Sequence, residues 1–158
     1  MLLWYVGLSV LLVANVFRSV GVDYRLVALG SLLPLLVDVP FGRPAVGHTL
    51  LASVALLVLV MLGTAGRSRL LRRRLLCLPI GTLAGLVLSG AWTSGEVFWW
   101  PALGTAFPPG RLLPVWWAVV LLELAGLVAC WWVVGQFELY ERGPWERFVR
   151  SGRLEAPR

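Results

Sequence analysis

Two residues ten positions apart carry the first chemical signal in this chain. Asp38 and His48 flank the turn Val39-Pro40-Phe41-Gly42-Arg43-Pro44. A hairpin of that shape brings its two ends together, and a carboxylate beside an imidazole is the start of a metal site. His48 is the chain's single histidine, which limits every metal hypothesis. Two further carboxylates are candidates. Glu123 lies in an otherwise uncharged run and Glu96 follows Trp92-Thr93-Ser94-Gly95. Glu123 stands nine residues after Pro114, about 14 Å along a helix. A carboxylate there needs a cation, a metal or several donors, or it stays protonated. Its readings are a ligand, a proton carrier, an orienting group, or a neutral Glu hydrogen-bonded between helices. Glu96 reads as a solvated loop carboxylate that can also reach back toward Asp38 and His48.

The elements that would hold these residues are oily. Apolar residues make up 59% of 158 positions and charged residues 14%, against about half and a quarter in soluble domains. A single soluble domain of this length could not hide that much apolar surface, and disorder is excluded for the same reason. The charge-free runs are 1–17, 26–37, 44–66, 75–95 and, apart from Glu123, 114–135. Crossing a core of about 30 Å takes roughly 20 apolar residues. The runs 44–66, 75–95 and 114–135 meet that, and the first is slightly short but adequate. The second, extended through Phe41 and interrupted by Pro34, is either a short kinked span or a re-entrant segment. The expectation is an all-α, polytopic transmembrane bundle of about five spans over residues 1–135, followed by an Arg-rich tail, 136–158. No secretory signal is expected at the N-terminus, because nothing basic precedes the first run and no cleavage site follows it.

Arginine sets the orientation. All fourteen cations are Arg, and eight acids leave a net charge of +6. With five spans and the N-terminus outside, Arg18, Arg25, the block Arg67, Arg69, Arg72, Arg73 and Arg74 and the five of the tail face the cytoplasm. That leaves Arg43 and Arg111 outside, as the positive-inside rule asks. A re-entrant second segment would move Arg18 and Arg25 outside. Trp116 and Trp117 near one end of the last span and Trp131 and Trp132 near the other suit the two interfacial belts. In the tail, Trp145 and Phe148 among Arg142, Arg147, Arg150 and Arg153 read equally as an interfacial amphipathic helix or as a solvated end. No nucleic-acid role is expected of these arginines. In the fourth span, Gly81 and Gly85 make a small-x-x-x-small face for close helix packing.

Gly30-Ser31-Leu32-Leu33-Pro34 with Asp38, then Gly47-His48-Thr49-Leu50, then Gly81 to Trp92 and Phe98-Trp99-Trp100-Pro101, resembles the membrane-bound, predicted metal-dependent hydrolases of bacterial inner membranes, in their actinobacterial branch. The resemblance spans roughly residues 1–135 and implies a bacterial inner-membrane protein with a metal centre for phosphoester hydrolysis. That family's pattern is Pro-Asp-x-x-Asp, then His-Thr or His-Ser, then His-x-x-x-Asp. Here the first Asp falls on Leu35, the second on Asp38, and the middle His on His48. The later His and Asp fall on Gly85 and Ser89. Asp38 and His48 supply two ligands where a catalytic zinc site takes three, and Glu123 or Glu96 would have to supply another. The first expectation is therefore a non-catalytic or reduced relative, without metal, that contacts lipid, a membrane-protein partner or a second copy of itself. The alternatives are a working hydrolase in which Asp38, His48 and Glu123 or Glu96 hold zinc or another divalent metal, and a small transport or channel subunit in which Glu123 responds to protons or ions.

Overall fold

The computed structural model describes residues 1–17 and 21–154, all of its regular structure helical. Arg18 and the last four positions, counted above as cytoplasmic, lie outside the described residues. The helices are α1 (Leu2–Phe17), α2 (Tyr24–Asp38), α3 (Leu50–Gly63), α4 (Arg69–Leu75), α5 (Cys77–Leu88), α6 (Gly95–Phe98), α7 (Trp116–Gln136) and α8 (Arg142–Ser151). Single 3₁₀ turns occupy Val39–Phe41, Val46–His48 and Ala91–Thr93.

Local chemistry sets the boundaries. Asp23 caps α2 by accepting from the Arg25 N–H, and Thr49 caps α3 by accepting from the Ala52 N–H at 3.0 Å. Pro79, in the first turn of α5, has no N–H to give the preceding turn, and α4 and α5 are separate helices on either side of Leu76. Pro34 lies inside α2, which nonetheless runs on into the Val39–Phe41 turn.

Among the described residues two helices are long and apolar enough to cross a membrane: Tyr24–Phe41, with its 3₁₀ extension, and α7. The first is the segment whose length was in doubt. Asp23 starts it two residues before the charge-free run, so Arg25 lies within its first turn. The runs 44–66 and 75–95 hold shorter helices than their composition allows, of 14 and 12 residues. The turns at 46–48 and the Leu76 break take the remainder.

Small residues face inward and large apolar ones face outward. A side chain at Gly126 would strike the backbone of Leu3 and Trp4, and one at Gly7 would meet the Gly126 carbonyl and Ala129. Gly81 lies on Val27, Gly85 on Ser31 and Gly30 on Leu78. The registers advance together, so α1 runs parallel to α7 and α2 parallel to α5. The Trp4 indole N–H donates to the Leu88 carbonyl at 3.1 Å, joining the start of α1 to the end of α5. At the opposite end Val13, Tyr24, Val27, Cys77, Val133, Phe137 and Leu154 form one buried cluster. The outer surface of α7 exposes Trp116 at 79% and Trp131 at 74%, and that of α3 exposes Leu62 at 69%. Ser53 is the buried residue of α3. The exposed faces of α3 and α7 are therefore apolar along much of their length.

Candidate functional site

Asp38 closes α2 and is completely buried. Its Oδ2 accepts from the Ala45 N–H at 2.6 Å, the His48 N–H at 3.2 Å and His48 Nδ1 at 2.7 Å. Its Oδ1 accepts from the Gly47 N–H at 2.8 Å. The hairpin thus brings Asp38 and His48 together, as the spacing anticipates. Four donors of the 45–48 turn thus converge on one carboxylate, three of them on Oδ2. Asp38 is a clamp on the 45–48 turn, supplying a buried segment with the backbone acceptor it would otherwise lack.

With Nδ1 committed to Asp38, His48 keeps one ring nitrogen, Nε2. A carboxylate–imidazole pair of this kind often orients a histidine toward a metal, yet one nitrogen is one ligand. The other candidates are placed elsewhere. Glu123 lies on α7 beneath the start of α1, where it accepts from the Leu2 and Leu3 N–H groups at 2.7 and 2.8 Å and pairs with the Met1 amine at 2.5 Å. It therefore caps a helix N-terminus, whose unpaired N–H groups and dipole favour an anion. Glu96 lies in α6, next to the 46–48 turn, and is exposed to solvent. Among the described residues no three His, Cys, Asp or Glu side chains gather closely enough to hold an ion.

Of the three remaining positions of the family pattern, Leu35 has no side-chain donor atom, and Gly85 and Ser89 are engaged within the bundle. A Cβ on Gly85 would overlap the Ser31 carbonyl and stand 2.9 Å from its Cα, so no imidazole fits there while α2 and α5 touch. The Ser89 hydroxyl donates to the Leu86 carbonyl of its own helix at 2.8 Å.

A second polar centre lies at the other end of the bundle. Asp23 is 2% exposed. Its carboxylate accepts from Arg25 Nε and Nη2 at 3.2 and 3.1 Å and from Arg74 Nε and Nη2 at 3.3 and 3.1 Å. Its N–H points to Cys77 Sγ at 3.3 Å. The tail docks here. The Tyr24 N–H donates to the Gly152 carbonyl at 2.8 Å, and Arg25 Nη1 donates to the Val149 carbonyl at 2.6 Å. Gly152 ends α8 with φ +71°, and a side chain there would run into the Asp23 carboxylate. The tail forms a helix over Arg142–Ser151, and its far end is anchored, with Leu154 buried. The signal available in the sequence was an Asp immediately before an apolar run with Arg two residues on, an N-cap pattern.

Burial opposes the charge on Asp23, but the hydrogen bonds and charges of Arg25 and Arg74 outweigh it and hold the carboxyl below the ordinary carboxylate range. A depressed folded-state value contributes stability that is fully present above the unfolded value of about 3.9 and is lost as pH falls through the lower folded value. Acidification below about pH 4 is therefore expected to release α8. Trypsin cleavage after Arg150 and Arg153 at neutral pH should be slow in wild type and fast in Asp23→Asn. Equal rates would refute the anchor.

Comparison of the chain with protein-family models, with curated proteins and with solved structures returns no match.

Proposed function

We propose that this chain is a five-span protein of the bacterial inner membrane, N-terminus outside, that works by contacting lipid and is a divergent, non-catalytic relative of the membrane-bound metal-dependent hydrolases. The observation that carries this reading is the commitment of Asp38 to the hairpin: it accepts four hydrogen bonds from the 45–48 turn. The residue that would have to bind metal is spent on holding the hairpin closed.

The bilayer reading is supported by the exposed apolar faces of α3 and α7. The span count is supported by helix direction. Five alternating spans make the first and last parallel, and the second parallel to the fourth, which is how α1 pairs with α7 and α2 with α5. The orientation is supported by the sorting of charge. Arg25, the α4 arginines and the arginines of the docked end of α8 share the end of the bundle that holds Asp23. Arg43 lies at the other end, where its Nη1 donates to the Phe107 carbonyl at 3.3 Å and the Leu112 N–H donates to the Gly42 carbonyl.

Purified protein is expected to carry no stoichiometric zinc, and its metal content should be the same in His48→Ala. Stoichiometric zinc lost in that variant, or phosphodiester hydrolysis abolished by Asp38→Asn, would overturn the non-catalytic reading. A C-terminal tag should stay unlabelled in intact cells and become labelled on permeabilisation; labelling of intact cells would overturn the orientation.

A further inference from the structure

The Asp23 end of the bundle contains a cavity of about 270 Å³ between the start of α2, α4 and the end of α8. Arg73, Arg74, Arg150 and Arg153 line it, with Asp23 as its carboxylate. Asp23 is committed to Arg74 and Arg25. Among the described residues, the guanidinium groups of Arg73, Arg150 and Arg153 have no hydrogen-bonding or ionic partner.

Folding therefore gathers three uncompensated cations around one hollow. Two of them are brought there by a tail that the Tyr24–Gly152 and Arg25–Val149 hydrogen bonds fix in place. Like charges held together repel, and the arrangement is stabilised when an anion enters. Guanidinium groups present paired N–H donors that match the oxygens of a phosphate. The cavity is of headgroup scale rather than the scale of a large organic ligand. In the orientation proposed above, it opens where acidic headgroups concentrate and attract basic residues.

We infer that this cavity is a phosphate-binding site, formed by Arg73 from α4 and by Arg150 and Arg153 from the tail, which takes the phosphate of an acidic phospholipid or free phosphate. The inference rests on the bilayer reading only for the lipid as source; the cluster of guanidinium groups stands without it.

The full-length protein is placed in nanodiscs of phosphatidylcholine alone, of phosphatidylcholine with phosphatidylglycerol, or of phosphatidylcholine with inorganic phosphate at chloride-matched ionic strength. Thermal unfolding is followed in each. A higher Tm with phosphatidylglycerol assigns the site to a lipid headgroup, and an equal rise with inorganic phosphate assigns it to the free anion. Either supports the inference when the rise disappears in R73Q/R150Q/R153Q and persists in R67Q/R69Q/R142Q, which removes the same number of exposed charges outside the cavity. Single substitutions Arg150→Gln and Arg153→Gln are each expected to weaken binding of the effective anion about tenfold. No rise with either anion, or equal loss in both triple variants, overturns the site. Resistance of the protein to carbonate extraction from membranes is scored separately. Anion-insensitive protein that resists extraction overturns the site alone, and extractable protein overturns the bilayer reading alone.

Discussion

Replacing Asp38 with alanine is expected to cost about 3–5 kcal/mol, the range for removing one partner of a buried charged network. The substitution leaves the Ala45, Gly47 and His48 N–H groups and the His48 ring without their common acceptor. The His48 N–H keeps the Ala45 carbonyl at 3.1 Å, but the Ala45 and Gly47 N–H groups lose the side-chain acceptor and carry a desolvation penalty at a site that is 0% exposed. Asp38→Asn should fall between wild type and alanine. It keeps one acceptor oxygen and turns an amide toward groups that are themselves donors. Thermal unfolding monitored by tryptophan fluorescence in detergent provides the measurement. A chelator added to wild type is expected to leave Tm unchanged, because the clamp needs no ion. If the chelator reproduced the loss seen in Asp38→Ala, the clamp would be a metal site after all.

A comparable loss is expected from Gly81→Leu. A Cβ at this position would stand 2.9 Å from both the Cα and the carbonyl carbon of Val27, overlapping backbone rather than a yielding side chain. Overpacking by smaller increments costs about 1–3 kcal/mol. A whole isobutyl group should exceed that and part α2 from α5. Gly135→Ala makes the contrast. Nothing stands within 4 Å of a Cβ there, and the change should stabilise α7 by about 0.5–1 kcal/mol through helix propensity alone. Opposite signs at two helical glycines would confirm that backbone contact, rather than glycine content, holds the bundle. Equal small effects would mean that the α2–α5 contact is looser than described.

The residues differ in how much of their role could be read in advance. The nearness of Asp38 and His48 follows from ten residues of hairpin, and the small-residue face of Gly81 and Gly85 follows from helical spacing. The function of Asp38 was hidden because its principal partners are backbone N–H groups, which every residue but proline possesses and no residue type announces. Glu123 was legible as a costly carboxylate that needs donors. Its donors were not legible, because they come from Leu2 and Leu3, some 120 positions away, and no local pattern states which helices pair. Asp23 was underestimated for a related reason. Arg74, which holds it, lies fifty-one residues on, and the tail backbone that meets its neighbours carries no chemical label. The lengths of α3 and α5 fell short of their apolar runs because composition limits where a helix can lie, while Thr49 and Pro79 decide where it starts.

The pairing of α1 with α7 also orders assembly. During synthesis the first helix emerges with its small-residue face toward a partner not yet translated, and more than a hundred residues separate the two. Closing so long a loop is slow compared with local helix formation. Until α7 is made, Gly7 and the N–H groups at the start of α1 lack the partners that they have in the folded bundle. α7 is therefore the latch on α1, and a ribosome stalled before Trp116 would release an open, degradation-prone intermediate.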